Sequence, residues 1–364
     1  MDNVIGIISA NFDTPELDEL TKDRSVSALP YGSRYRLIDF ALSNMTNSGI
    51  NSVGIITPYS YRSLLDHVSS GEYWNLTKRN GGLFILPGAV YGPNNKRSHL
   101  LLRDIRKNSI YLKRSQAEFV LITASNVIYN MNFQEMIHQH NESGADMTLL
   151  YKIASKNMPD STKIELKKNR IIDFDRNVEK GDAMLIPTVV INRKLLLKVL
   201  DWYANVDYMD LQSFLNNNTK NLVMEGYQFD GYMHLVSSMN DYYQMTMDLL
   251  KNDIRHELFS KENPIMTKDR DRSSTQYKDE AKVSNSLVPA GCVIEGTVEN
   301  SVLFRNVKVG KGAVIRNSII LQSCVIEEGA KVEYAVIDRR NVVAKDSVLK
   351  GTVKHLLVLP KKGD

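Results

Sequence analysis

Glycine is missing at the point where an α/β nucleotide site relies on it. The first apolar run, Val4–Ile8, leads into "SANFDTPELDEL", which has no glycine and carries Asp13, Glu16, Asp18 and Glu19. A glycine-rich turn would let backbone amides wrap a phosphate, whereas carboxylates repel one. Cysteine is scarce as well. Cys292 and Cys324 are the only two in 364 residues, with no CxxC or histidine spacing. That excludes a disulfide framework and fits buried thiols in a reducing compartment. No apolar run approaches the length of a bilayer span, and the start of the chain lacks a signal-peptide pattern. A cytoplasmic protein without a membrane partner is expected. Charge of one sign is also lacking: 46 basic residues face 42 acidic ones, scattered along the chain, for a net +4. This excludes a basic nucleic-acid arm.

The remainder reads as two textures. Residues 1–250 alternate apolar runs, such as "SVGIIT" (52–57) and "FVLITA" (119–124), with helical patterns closed by Gly49 and Gly144. Continuous apolar strands between helices predict a largely parallel sheet covered on both faces. Residues 251–282 are charged, with little periodicity, and read as a linker or surface excursion. From 283 to 364 aliphatic residues recur every six positions: Val288 and Ile294; Leu303, Val309, Ile315 and Leu321; Ile326 and Val332; Ile337 and Val343. Small corner residues, including Gly310, Gly312 and Gly329, punctuate them. That period predicts a left-handed parallel β-helix of hexapeptide repeats.

Three smaller motifs carry bland readings. His138 and His140 in "HQHNESGAD" face apart on a helix and do not make a metal pair. Gly81-Gly82 in "KRNGGLFILPG" reads as a hairpin turn, and "WNLTKRN" as a surface helix end.

The stretch "LTKDRSVSALPYGSRYRLIDFALSNMTNSGINSVGIITPYSYRSLLDHV" (20–68) resembles glucose-1-phosphate adenylyltransferase, and "TMDLLKND" (246–253) and "EGTVENSVLFRNVKVGKGAVI" (295–315) are similar to the same family. The resemblance spans essentially the whole chain. It implies a nucleotide-diphospho-sugar transferase (Rossmann-like) domain followed by the β-helix. It also implies a chemistry in which a sugar phosphate attacks the α-phosphate of ATP and releases pyrophosphate, with magnesium held by carboxylates.

The family's catalytic positions are replaced one after another. Its glycine-rich GGxGxRL loop falls on "SANFDTPEL", and its basic KP pair on Val26-Ser27. Its GTA segment falls on Leu100, Leu101 and Leu102. The magnesium aspartate of AGD becomes Asn126, and the second metal aspartate becomes Leu235. The sugar-phosphate glutamate-lysine pair becomes Arg176-Asn177, with Ala183 at the accompanying serine. An amide offers a metal one neutral oxygen, and an isobutyl group offers none. The resemblance therefore implies a non-catalytic regulatory subunit, of the GlgD type, with no cofactor of its own. Its expected partner is a catalytic subunit that uses magnesium, in a heterotetramer of glycogen biosynthesis. A weakly active adenylyltransferase with an altered metal site, and a free-standing sensor of sugar phosphates or nucleotides, stay open as alternatives. Arg34, at a lysine position linked to anionic activators, together with Arg36 and Arg62, are the candidates for an anionic effector site. Against this, Arg36 reads as a structural salt-bridge partner of Asp39, and the other two as solvated charges.

Overall fold

The computed structural model describes residues 3–11, 14–58, 60–79, 81–88, 101–206, 209–269 and 273–361. Its α/β part is built on a nine-stranded sheet. The strands are β1 (Val4–Ser9), β2 (Ser52–Thr57), β3 (Gly82–Pro87), β4 (Phe119–Ala124), β5 (Met147–Ile153), β6 (Met158–Lys167), β7 (Arg170–Val178), β8 (Ala183–Asn192) and β9 (Met224–Gln228). Their spatial order is β3-β2-β1-β4-β8-β5-β9-β7-β6. The first four strands run parallel, and β1 and β4 are buried along their whole length, as continuous apolar runs predict. The other half departs from the expected parallel sheet, because β8 runs antiparallel to β4 and β5, and β7 antiparallel to β6 and β9.

The sheet order reverses at β1. The chain leaves β1 toward β2 and β3 on one side, then returns to β4 on the other. In such sheets a crevice opens at the carboxyl ends of the two strands flanking the reversal. Helix α1 (Leu37–Asn47) covers one face; its Asp39 accepts the Arg36 backbone N–H at the helix start, and Gly49 at φ 79° ends it. Gly81 and Gly82 do not form the expected hairpin. They take φ of 100° and 109° where the chain enters β3, which lies parallel to β2.

The stretch 251–282 is more ordered than its composition suggests. It contains a helix at Asn252–Leu258 and the first β-helix strand at Gln276–Tyr277, which pairs with Val293–Ile294. The β-helix thus begins earlier than position 283. Three parallel sheets form its walls, and Ile294, Val309, Ile315, Ile326 and Val332 fill its interior.

The six-residue register fails on one wall. The interior residue after Ile315 is Ile320, five positions on, and Leu321 faces outward. The step from Val332 to Ile337 is likewise five, so successive coils stack at 17 residues, as in Val309↔Ile326↔Val343. This wall packs on the α/β part. Its outward Val302, Phe304, Ile319, Leu321 and Val336 meet Tyr242, Met245 and Leu249 in one buried cluster. Both faces of the wall are apolar, which conceals the inward register from a count along the sequence.

Candidate functional site

At the carboxyl ends of β1 and β4 the serine side chains bond inward. Ser125, following β4, donates to the Ser9 carbonyl at 2.9 Å, and its hydroxyl meets that of Ser27 at 2.7 Å. Ser27 and Ser125 are fully buried, and Val26 beside them is 3 % exposed. Hydroxyl groups therefore stand at the position where the resemblance implies a basic residue. Asn11 donates to Asp104 at 2.7 Å, while Glu16 and Glu19 point to solvent and Leu17 and Leu20 anchor the segment in the core. Phe12, Asp13 and Leu100 lie outside the described residues. Leu101 and Leu102 turn into the core, the latter with its N–H on the Met209 carbonyl.

Asn126 and Leu235 do come together. A two-stranded ladder pairs Leu235 with Val127, the Val236 N–H bonds the Asn126 carbonyl at 2.8 Å, and Asn126 Nδ2 donates back to the Val236 carbonyl. Leu235 packs its side chain on the apolar core beneath α1. Asp241, on the helix that follows Leu235, is engaged elsewhere. Burial pulls its pKa up, but hydrogen bonds from His234, Ser237 and Ser238 overcome that and hold it at about 2. Among the described residues, no three His, Cys, Asp or Glu side chains are grouped to hold a metal ion.

Arg176 and Asn177 are exposed on β7, and Ala183 is half-buried at the start of β8 beside Asp182, which pairs with Lys163 at 2.9 Å. Val178 and Met184 cluster with Met158 and Met233, and Lys152 ties its ammonium to the carbonyls of Asp230 and Gly231 at 2.7 and 2.6 Å. His140 is buried on Thr148 and burial lowers its pKa to about 4, whereas His138 is exposed beside Glu142. The two imidazoles do not meet.

A second concavity, about 860 Å³, opens between the α/β part and the β-helix. Arg34, Arg36 and Arg62 all line it, joined by Lys22, Lys268, Arg305, Arg339, Arg340 and Lys361. Nine cationic side chains thus face two carboxylates, Asp23 and Asp66. Arg36 donates to the Ser63 carbonyl at 2.5 Å, so its guanidinium bonds helix α2 (Arg62–Val68), while Asp39 takes the Arg36 backbone N–H and His67 Nε2. Arg34 lies over the Tyr35 ring at 5.2 Å. Arg339 has a buried Nε without a hydrogen-bond partner, and burial followed by the charge of Arg24 pulls its pKa down. Behind this wall, Arg24 and Asp338 form an ion pair of 2.7 Å at 3 % and 4 % exposure.

Residues 15–174 match the nucleotidyl transferase family, and residues 272–352 match the GlmU-like C-terminal hexapeptide family. The chain is 31% identical to the glycogen biosynthesis protein GlgD of Bacillus subtilis (strain 168), over 98% of this chain and 96% of that protein. It is 34% identical to GlgD of Geobacillus stearothermophilus over 86% and 82% of the two chains. A glucose-1-phosphate adenylyltransferase of Clostridium perfringens (strain 13 / Type A) is 31% identical over 89% and 84%. The chain is a GlgD-type member of the glucose-1-phosphate adenylyltransferase family.

For this GlgD-type chain, sequence reasoning found three of the nine cations and missed six. Arg305, Arg339 and Arg340 had a signal. Asn306, Ser323 and Arg340 take φ of 59°, 61° and 60° at one corner of successive coils, so residues 305–306, 322–323 and 339–340 stack in a column facing the cavity. Their spacing of 17 is visible only once the five-residue wall is known. No helix among the described residues is long and apolar enough to cross a membrane.

Proposed function

We propose that this chain is the non-catalytic regulatory subunit of a mixed glucose-1-phosphate adenylyltransferase of glycogen biosynthesis. It assembles in the cytoplasm with a catalytic subunit, as a heterotetramer, and tunes that subunit's turnover or effector response. The carrying observation is the chemistry at the ends of β1 and β4: Ser27, Ser125 and the Ser9 carbonyl bond one another, and Leu235 stands beside Asn126. Nucleotidyl transfer between two anions needs positive charge on the phosphates and a metal to bridge them. One neutral amide next to an isobutyl group does not fit magnesium, which takes carboxylate and water oxygens in an octahedron. The reading therefore assigns this chain no magnesium and no chemical step.

Regulation then rests on the cationic cavity. Nine cations against two carboxylates leave an excess of positive charge that an anion would offset, and arginines there can grip a phosphate bidentately. A phosphorylated effector is the proposed ligand. Its binding would bias the mixed assembly toward the partner's active form, a coupling free energy between subunits.

The test measures pyrophosphate release by the purified chain, by the catalytic subunit and by the mixture. The isolated chain is expected to be silent and the mixture to differ from the catalytic subunit alone; turnover by the isolated chain refutes the proposal. Calorimetry with a sugar bisphosphate checks the cavity. Arg62→Ala removes one charge-assisted contact and is expected to weaken binding roughly tenfold or more. Unchanged affinity would count against the effector site.

A further inference from the structure

A second cationic surface lies on the helices that cover the other side of the sheet's core. Helices α3 (Leu102–Lys107) and α4 (Ser109–Arg114) run one way, and α5 (Arg193–Trp202) runs back beside them. Arg106 bonds the Tyr203 carbonyl at 3.0 Å at one end of the pair, and Arg193 bonds the Leu112 carbonyl at 3.1 Å at the other. Leu102, Ile105, Leu112, Leu196, Val199 and Leu200 turn inward into one core cluster.

Eight positions of these helices are exposed. Lys107, Lys113, Arg114, Lys194 and Lys198 are cations, and Asp201 is the one acid. The other two are Ile110 and Trp202, at 56% and 59% exposure, whereas the second tryptophan, Trp74, is fully buried. Lys194, Lys198 and Trp202 recur every four residues and so share one stripe of α5. On the β-helix, Lys311, Arg316, Lys345 and Lys350 each lie within 3.3 Å of a carboxylate. No carboxylate among the described residues pairs with the five cations of the helical face, and none of the five lines the cationic cavity.

We infer that this face docks an acidic amphipathic helix of another protein, laid along α4 and α5 with carboxylates on the lysines and apolar side chains on Ile110 and Trp202. Charge that has no counterpart within the chain draws an acidic partner, and the two bulky apolar groups anchor it. The stripe from Lys194 to Trp202 is about 12 Å long, so a partner helix of about three turns covers it. The pattern favours a protein over a membrane or a nucleic acid. Asp201, next to Trp202, would face phosphates in either of those, whereas a protein can set a single basic residue against it. Four of the five cations are lysines, which lack the planar fork that grips a phosphate.

The test titrates the full chain with a fluorescein-labelled, stapled helical peptide of about three turns that carries glutamates on one face and leucines beside them. A scrambled peptide of the same composition is the comparison. Anisotropy reads binding, and the fluorescence of exposed Trp202 reads its place. The expected result is saturable binding that weakens as salt rises. It should be at least tenfold weaker for the scrambled peptide, for Lys194→Glu/Lys198→Glu and for Trp202→Ser, with circular dichroism and melting unchanged. Variants that bind within twofold of wild type, or wild type that does not bind, overturn the inference. Phosphatidylglycerol vesicles or a single-stranded oligonucleotide that bind more tightly than the peptide, and lose binding in the same variants, overturn the choice of a protein partner.

Discussion

Replacing Asp338 by alanine tests how the β-helix is held against the α/β part. Asp338 lies in the β-helix and Arg24 in the segment before α1, and their 2.7 Å ion pair is almost wholly removed from water. Arg24 would keep its Nε bond to the Leu20 carbonyl at 2.8 Å, but its charge would lose its counter-ion in a low-dielectric site. The Arg339 backbone N–H, 2.6 Å from Asp338 Oδ1, would lose its acceptor. Stranding one member of a buried pair costs about 3–5 kcal/mol. Removing both charges in Arg24→Met/Asp338→Leu avoids that penalty and is expected to stay within about 1 kcal/mol of wild type. Urea unfolding of the full chain measures both variants, with limited proteolysis reporting separation of the two parts. The reasoning fails if Asp338→Ala costs under about 1 kcal/mol, or if the double variant loses as much as the single one.

Acid should find His140 early. Burial holds its folded pKa at about 4 against an ordinary 6.5, so the unfolded chain binds more protons between those values. Stability on this account is full above pH 6.5 and falls by about 3 kcal/mol as pH drops to 4. His140→Gln should flatten that part of a pH–stability curve, and a curve of unchanged slope would contradict it. In the β-helix, a Cβ at Gly296 would sit 2.3 Å from the Ala313 carbonyl and 2.7 Å from that of Gly310, both backbone atoms of the neighbouring coil. Gly296→Ala should therefore cost at least about 2 kcal/mol in thermal or urea unfolding, and a neutral result would mean that the coils can spread.

The two textures of the chain were legible because each depends on short-range pattern. Doubly buried strands announce themselves as "SVGIIT" and "FVLITA", and the β-helix as a recurring aliphatic residue. The antiparallel half of the sheet was not legible, since β5 to β9 carry no local mark of direction. Leu321 was misassigned to the interior for a related reason. Ile319, Ile320 and Leu321 are all aliphatic, and only docking against Tyr242 and Met245 shows which of them faces out.

Asn126, Leu235 and the Val26-Ser27 turn are readable from the sequence alone, because each lies within a recognisable segment, and an amide or isobutyl group has its chemistry wherever it is placed. Tertiary structure alone decided that Ser27 and Ser125 bond each other, and that residues as distant as Lys22 and Lys361 share one cationic cavity. Convergence of charge depends on how a 17-residue coil is rotated against the sheet. That rotation is fixed by apolar burial between the two parts, which no local stretch of sequence encodes.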